Sequence, residues 1–277
     1  MEERTIISFD YAIKNLLRDK ANFDILEGFL SELLGRKVAV QAILESECNK
    51  DDPDGKTNRV DLKAQIDGGE LAVFEIQFYQ EIDFFGKVLY GVSRAVAEQV
   101  SVGGEYGIKK IYSINISYYN LGAQREYLFS GKFDGFRGVH FADETIAFAQ
   151  AGDLAQGGAI VDIHPEYYLI LPKMFDEQMR GRFDEWIYVL KKSAVRSDFT
   201  AKGLDAASAK LDLLKMKPDE RRAYEKFLEN RYSLDNVVRT AKIEERTEIA
   251  KNLKNMGIPA AQIAKAVGID EENIETL

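Results

Sequence analysis

The chain has 277 residues, 45% hydrophobic and 30% charged, which is typical of a globular protein with one large domain or one domain plus a smaller appendage. A single cysteine, Cys48, excludes an internal disulfide and a cysteine-based zinc site. The formal net charge is −9, so a nucleic-acid partner would need a local basic surface, because the overall field repels phosphate.

The sequence predicts a cytoplasmic protein. Residues 1–13 lack the basic region and the long apolar core of a signal peptide. No apolar run approaches the length of a transmembrane helix, so we expect no contact with a membrane. The lone cysteine agrees with a reducing compartment.

Two helices and a strand are predicted first, in the order Ser8–Arg18, Phe23–Leu34 and Lys37–Glu47. Gly35 is expected to end the second helix. The acidic stretch Asn49–Thr57 predicts a solvated loop, which we favour over a cation-binding loop because no glutamate follows at EF-hand spacing.

The stretch Asn58–Phe78 predicts a β-hairpin. Apolar and polar residues alternate over Val60–Gln65, which is the two-residue period of a half-buried strand. The second run, Glu70–Phe78, is more continuously apolar, as in a central strand. Asp67–Gly69 supplies the turn.

Two acidic residues of this hairpin are candidate metal ligands. Asp61 lies near the start of the first strand and Glu75 near the end of the second, so they should lie roughly opposite each other. Paired carboxylates suit a hard divalent cation, although a solvated strand face also carries acids. Phe74 and Phe78 favour the metal-binding interpretation, because a carboxylate in an apolar run is costly unless it is paired or bound to a metal.

A long helix, Ile82–Val102, and a strand, Lys110–Tyr118, follow the hairpin. This strand should pair in parallel with an earlier one, because a helix intervenes. Three further short strands are predicted at Arg125–Phe129, Val139–Phe141 and Ala159–Ile163. The element order predicts an α+β fold with a mixed sheet.

The chain becomes helical after Pro172. We predict helices at Lys173–Ser193, Leu204–Lys215, Asp219–Tyr232 and Leu234–Met256, followed by two short helices around Gly268. The last of these is acidic, whereas a recognition helix in a DNA groove should be basic, so we favour a packing or dimerising hairpin over a helix-turn-helix. The predicted domains are 1–195 and a helical C-terminal extension, 196–277.

Several sequence runs, in order and spacing, are found together in one known family. They are SFDYAIKNLL at Ser8–Leu17, DILEGFLSELLG at Asp24–Gly35, VDLKAQIDGG at Val60–Gly69, FEIQ at Phe74–Gln77, YGVSRAVAEQV at Tyr90–Val100 and EYGIKKIYSINI at Glu105–Ile116. With them the chain resembles the recombination-promoting nuclease/putative transposase (Rpn) family of the PD-(D/E)xK nuclease superfamily. The last 27 residues resemble the usual ending of that family.

The resemblance implies a restriction-endonuclease-like core and Mg²⁺-dependent (or Mn²⁺-dependent) hydrolysis of DNA phosphodiester bonds. It makes Asp61 and Glu75 the motif acids and metal ligands, with the backbone carbonyl of Ile76 as a third ligand. Gln77 falls where many superfamily members carry lysine. An amide can orient a water molecule but brings no positive charge.

Further site residues are implied more weakly. Asp10 is a candidate extra carboxylate, and Glu27 or Glu47 are alternatives; a structural role is open for each. Tyr90, Arg94 and Gln99 match polar positions of the family's helix after the E-x-Q strand, although an Arg94–Glu98 pair within the helix is also open. The two histidines show no metal-like spacing.

The sequence therefore predicts a metal-dependent DNA endonuclease, linked to recombination or mobile elements, and a possible homodimer through the helical C-terminal part. The competing interpretation is a catalytically weak or silent DNA- or protein-binding module that retains the nuclease fold. The net charge and the glutamine at position 77 favour this second interpretation.

Overall fold

The structure, a computed structural model, describes residues 6–44, 61–100, 107–119, 121, 125–137, 139–140, 145–149, 160–161 and 163–277. The predicted loop Asn49–Thr57 lies outside these ranges. The chain divides into two compact units, Met1–Met216 and Lys217–Leu277. Residues 196–216 thus group with the first unit, and the predicted domain limits at 195 and 196 stay a prediction.

A six-stranded mixed sheet forms the first unit, with the strand order β1-β2-β3-β4-β9-β5. Its strands are β1 Val40–Leu44, β2 Leu62–Ile66, β3 Leu71–Gln77, β4 Ile111–Ser117, β5 Leu128–Lys132 and β9 Glu166–Ile170. The predicted hairpin is β2 and β3, joined by a 3₁₀ turn at Asp67–Gly69, and β4 pairs in parallel with β3 as expected. The predicted α+β mixed sheet is therefore confirmed.

Helices cover both faces of this sheet. They are α1 Phe9–Asn15, α2 Phe23–Leu34, α3 Phe84–Ala97, α4 Phe183–Lys192 and α5 Leu204–Lys210. On one face, Val92 and Ala95 of α3 pack against Leu71 and Val73 of β3. On the other face, the ring of Phe29 of α2 lies 6.0 Å from that of Phe74 and 5.5 Å from that of Trp186 in α4.

Three shorter strands, β6 Gly135–Arg137, β7 Thr145–Ala149 and β8 Ile160–Val161, form a second small sheet. The predicted strand at Val139–Phe141 is wrong, since Val139 and His140 form a bend and Phe141 lies outside the described residues. Alternation over three residues is too short to separate a strand from the bend that follows one.

The prediction of one helix over Lys173–Ser193 is wrong in its first half. A 3₁₀ turn occupies Pro172–Met174, and α4 begins only at Phe183. The Asp184 carboxylate accepts hydrogen bonds from the backbone N–H groups of Arg180 (2.5 Å) and Gly181 (2.9 Å). The Asp184 side chain thus satisfies two backbone N–H groups of the irregular segment before α4. These two groups therefore need no hydrogen bonds from a longer helix.

The second unit contains α6 Pro218–Asn255, α7 Ala260–Val267 and α8 Glu271–Glu275. The predicted break between two helices near Ser233 is wrong, because α6 runs through it and no proline or glycine interrupts the segment. Ala250, Ile263 and Ile274 form the small core of this unit, and Gly268 ends α7 with a φ of 68°. These contacts favour the packing interpretation of the tail.

Candidate active site

The hairpin brings Asp61 and Glu75 close together. Leu62 pairs with Phe74, and the Asp61 N–H donates to the Phe74 carbonyl at 3.0 Å, so Asp61 lies just beyond the paired part of β2. Glu75 follows Leu71 and Val73 on the face of the sheet that α3 covers. The negative charge of Asp61 acts directly on Glu75, so the two carboxylates are neighbours.

Asp61 is held in place by hydrogen bonds and by charge. Its Oδ2 accepts a hydrogen bond from the Ile76 N–H at 2.7 Å, and its Oδ1 lies 3.0 Å from Lys14 Nζ. The Arg18 guanidinium donates to the Asp61 backbone carbonyl at 3.0 Å. The side chain is 17% exposed, so solvent still reaches it. Residues in and just after α1 therefore fix the start of β2 beside the end of β3.

Glu75 is a half-buried acid with a strongly perturbed pKa. Burial, and next the negative charge of Asp61, raise the pKa of Glu75 from its ordinary 4.5 to about 7. Lys87 and Lys14 act in the opposite direction, and Glu81 adds to the increase. Two carboxylates held close together in a partly buried place repel each other, and a bound cation would relieve that repulsion.

Gln77 lies on the same face as Glu75 and is 8% exposed. The pKa of Glu81 is lowered, first by a hydrogen bond from Lys87 and also by one from Gln77, so both side chains reach this carboxylate. The Lys87 Nζ donates to Glu81 Oε2 at 2.6 Å. The amide of Gln77 is thus oriented by a carboxylate that also holds an ammonium group.

The donor atoms fit a small hard cation. Each oxygen of a carboxylate has two lone pairs, so both Asp61 oxygens retain one beside their existing hydrogen bonds. Phe74 faces β2 and Gln77 faces β4 through backbone hydrogen bonds, so the Ile76 carbonyl faces the β2 side, where Asp61 lies. Mg²⁺ is commonly held by one or two carboxylates, with water and phosphate completing its shell.

In the described part of the chain, no group of three or more His, Cys, Asp or Glu side chains could hold a metal ion. A site at the hairpin would therefore depend on two carboxylates and a backbone carbonyl. This is the donor set that the resemblance implies, and it leaves several positions of the cation to water and substrate.

Asp10 and Glu27 have different surroundings. Asp10 is 1% exposed in the first turn of α1, one turn before Lys14 on the same helix face. Glu27 accepts a hydrogen bond from the Val40 N–H at 2.9 Å and thereby joins α2 to β1. Glu47 lies outside the described residues.

Three predicted residues of α3 and its end lie apart from the acidic pair or make other contacts. Tyr90 is 48% exposed, and Arg94 donates to Glu98 at 3.2 Å, which is the intrahelical pair left open by the sequence. Gln99 accepts from the Lys109 N–H at 2.7 Å, just before β4. Because β3 and β4 are parallel and Glu75 pairs with Asn115, that point lies six residues, or roughly 20 Å, back along the sheet from Glu75.

Sequence reasoning did not assign Lys14, Glu81 or Lys87 to the site. The indication for Lys14 was its place one turn after Asp10 in the quoted run SFDYAIKNLL. Glu81 lies between β3 and α3, and Lys87 lies in the first turn of α3. Hydrophobic periodicity does not predict which way a polar side chain points at these two positions. Together with Arg18, these lysines provide the basic surroundings that a phosphate needs in an acidic protein.

A cavity of about 500 Å³ lies beside the acidic pair, between α3 and the β4–β9–β5 part of the sheet. It is lined mainly by aromatic and aliphatic side chains, among them Phe84, Phe85, Leu89, Phe129 and Tyr167. Asn115, which pairs in register with Glu75, forms part of its wall. The amide Nδ2 of Asn115 donates to the Tyr168 carbonyl at 3.1 Å.

The mixed sheet with helices on both faces is consistent with a PD-(D/E)xK nuclease-like fold. Residues 7–132 match the family model described as PD-(D/E)XK nuclease family transposase. The match runs from just before α1 to the last residue of β5, so it contains Asp61, Glu75 and Gln77. The predicted resemblance is confirmed over this segment.

Comparison with curated proteins and with solved structures gave no match. No helix in the described ranges combines the length and the apolar character needed to cross a bilayer.

Proposed function

We propose that this protein is a Mg²⁺-dependent DNA endonuclease whose centre is formed by Asp61 and Glu75. The observation that supports it most strongly is the closeness of the two carboxylates at the end of β3, within the segment that matches the nuclease family. A link to recombination or to mobile elements is part of the same proposal, because the matching family is described as a transposase family.

Each residue of the centre has a separate task. Asp61 and Glu75 would hold the cation, with the Ile76 carbonyl as a third donor, and Gln77 would orient the attacking water. When bound, Mg²⁺ would lower the pKa of a coordinated water and offset charge on the phosphate. Lys14 neutralises Asp61 when the cation is absent.

The test is plasmid cleavage with Mg²⁺ or Mn²⁺ by the native chain and by Asp61→Ala and Glu75→Gln. We expect each substitution to lower the cleavage rate by at least about 100-fold, since it removes one of two acidic donors. Asp205→Ala, at an exposed position of α5, is the control. Equal cutting by the native chain and Asp61→Ala would exclude this site.

A silent DNA- or protein-binding module is the second candidate function. The Lys14–Asp61 ion pair at 3.0 Å favours it, because a lysine beside an acid can replace a metal as the neutralising charge. Calorimetric titration with Mg²⁺ separates the two functions. A nuclease centre predicts binding that Glu75→Gln abolishes, and a silent module predicts none that depends on Glu75.

The assembly we propose is a homodimer through α6. Leu234 and Val237 are each more than half exposed on this helix. Leu234, Val237, Val238 and Ala241 follow the i, i+3, i+4, i+7 spacing of one helix face. A second copy of α6 would cover this apolar stripe, which we call the α6 stripe.

A further inference from the structure

We propose that Lys87, on α3, is a further catalytic residue that supplies the positive charge for the attack on the phosphodiester. This inference rests on the proposed nuclease function. In hydrolysis the attacking water loses a proton to solvent, its oxygen bonds to phosphorus, and the P–O bond to the leaving sugar oxygen breaks. Negative charge is first on the attacking oxygen and then on the phosphate oxygens, and a fixed cation stabilises both. Asp61, Glu75 and Gln77 bring only negative or neutral groups, so the site needs a cation from another element.

The position of Lys87 follows from its contact with Glu81. The Lys87 Nζ lies 2.6 Å from Glu81 Oε2, and Gln77 also hydrogen-bonds the Glu81 side chain. The ammonium group and the end of the residue-77 side chain therefore converge on the same carboxylate. Lys87 on α3 thus places a positive charge at the same carboxylate that the uncharged amide of Gln77 reaches from β3.

Lys87 also lies within electrostatic reach of Glu75. Lys14 is already paired with Asp61 at 3.0 Å. The pKa of Lys87 itself is raised, mainly by its hydrogen bond to Glu81, so the side chain stays protonated at neutral pH.

The contact with Glu81 leaves Lys87 able to act on a substrate. The side chains of Lys87 and Glu81 are 27% and 36% exposed, and a partly exposed ion pair of this kind contributes little to stability. An ammonium has three N–H donors, so one can stay on Glu81 while the others contact a water molecule and a phosphate oxygen. Glu81 then acts as a positioning residue that directs Lys87 toward Glu75.

The experiment moves the lysine charge from position 87 on α3 to position 77 on β3. Single-turnover plasmid cleavage is measured for the native chain, Lys87→Ala, Lys87→Arg and the double variant Gln77→Lys/Lys87→Ala. We expect Lys87→Ala to lower the rate by about 100-fold and Lys87→Arg to lose less. The double variant should recover most of the rate, because a lysine at position 77 reaches the same carboxylate from β3.

Lys109→Ala is the matched control, because Lys109 is an exposed lysine just before β4, at the far end of the sheet from Glu75. Full activity of Lys87→Ala would overturn the role of Lys87 and leave the nuclease proposal intact. A slow Lys87→Ala that Gln77→Lys fails to rescue would also overturn it, since it would show a structural effect. A native chain that does not cut DNA would overturn the proposed function, and this inference with it.

Discussion

Glu75 carries the most informative single property of the molecule, a carboxyl group that is partly protonated near neutral pH. Its pKa is raised to about 7 by burial and by Asp61, while Lys87 and Lys14 oppose the shift and Glu81 adds to it. Between pH 4.5 and 7 the folded chain therefore binds more protons at this site than the unfolded chain. The stability of the metal-free protein should fall as pH rises through that window.

Glu75→Gln removes this dependence. At pH 4, below both pKa values, the variant and the native chain should have nearly the same free energy of unfolding, because glutamine resembles the protonated acid. At pH 8 the variant should be more stable by up to roughly 3 kcal/mol, the equivalent of the pKa shift. Urea unfolding in EDTA measures both values, with the exposed Glu272→Gln as control for the lost charge. Equal stabilities at pH 8 would contradict the perturbed pKa.

The sequence predicts part of this site for a physical reason. Asp61 and Glu75 belong to one hairpin, whose turn sets the register, so the local sequence pattern alone predicts that they lie close together. Lys14 and Lys87 come from two helices, on either side of the hairpin in sequence. Their positions depend on how α1 and α3 pack on the sheet, which periodicity does not specify.

The elements of the first unit are held together by a close approach of backbones. A Cβ added to Gly28 of α2 would lie 2.4 Å from both the Gly203 Cα and the Lys202 carbonyl oxygen. The Lys202 carbonyl is fixed by a hydrogen bond from Trp186 Nε1 at 3.1 Å. Gly28→Ala should therefore destabilise the protein by about 1–3 kcal/mol, measured by chemical unfolding.

Gly86→Ala is the matched control for this substitution. Gly86 lies within α3, and a Cβ there would meet nothing within 4 Å. Alanine should increase stability by about 0.5–1 kcal/mol, because glycine loses more backbone freedom when a helix forms. A Gly28→Ala variant as stable as Gly86→Ala would show that α2 does not pack closely on residues 202–203.

Two elements were missed by the sequence analysis, each for a different physical reason. Strand β9 (EYYLI) is short and lies between Pro165 and Pro172, so it reads as part of a loop although it pairs with two strands. The sequence analysis divided the long helix α6 at Ser233, yet the interior of this helix contains no helix-breaking residue. Pairing with β4 and β5 makes β9 a strand, and uninterrupted backbone hydrogen bonding makes α6 one helix.

At the scale of the whole molecule, the charge distribution reconciles an acidic chain with the proposed DNA substrate. The net charge of −9 is spread over 277 residues, whereas Lys14, Arg18 and Lys87 gather at the acidic pair. Binding of a phosphate depends on this local field more than on the total charge.

The proposed dimer gives a prediction at the same scale. Sedimentation equilibrium should give twice the chain mass of 31.3 kDa for the native protein. Val237→Glu places an acid in the α6 stripe and should raise the dimer Kd by about 100-fold, because the interface would bury an unpaired charge. Asn236→Glu adds the same charge on the opposite side of α6 and should leave the mass unchanged. A native chain that sediments as a monomer would exclude the dimer.

The strand order has a consequence for how the chain reaches this structure. All parts of the acidic centre lie before β4 ends at Ser117, whereas β9, the next neighbour of β4, begins only at Glu166. Closing so long a loop is slower than joining elements that are adjacent along the chain. During synthesis the centre can therefore assemble first, and the β5–β9 pair would dock onto an edge that is already formed.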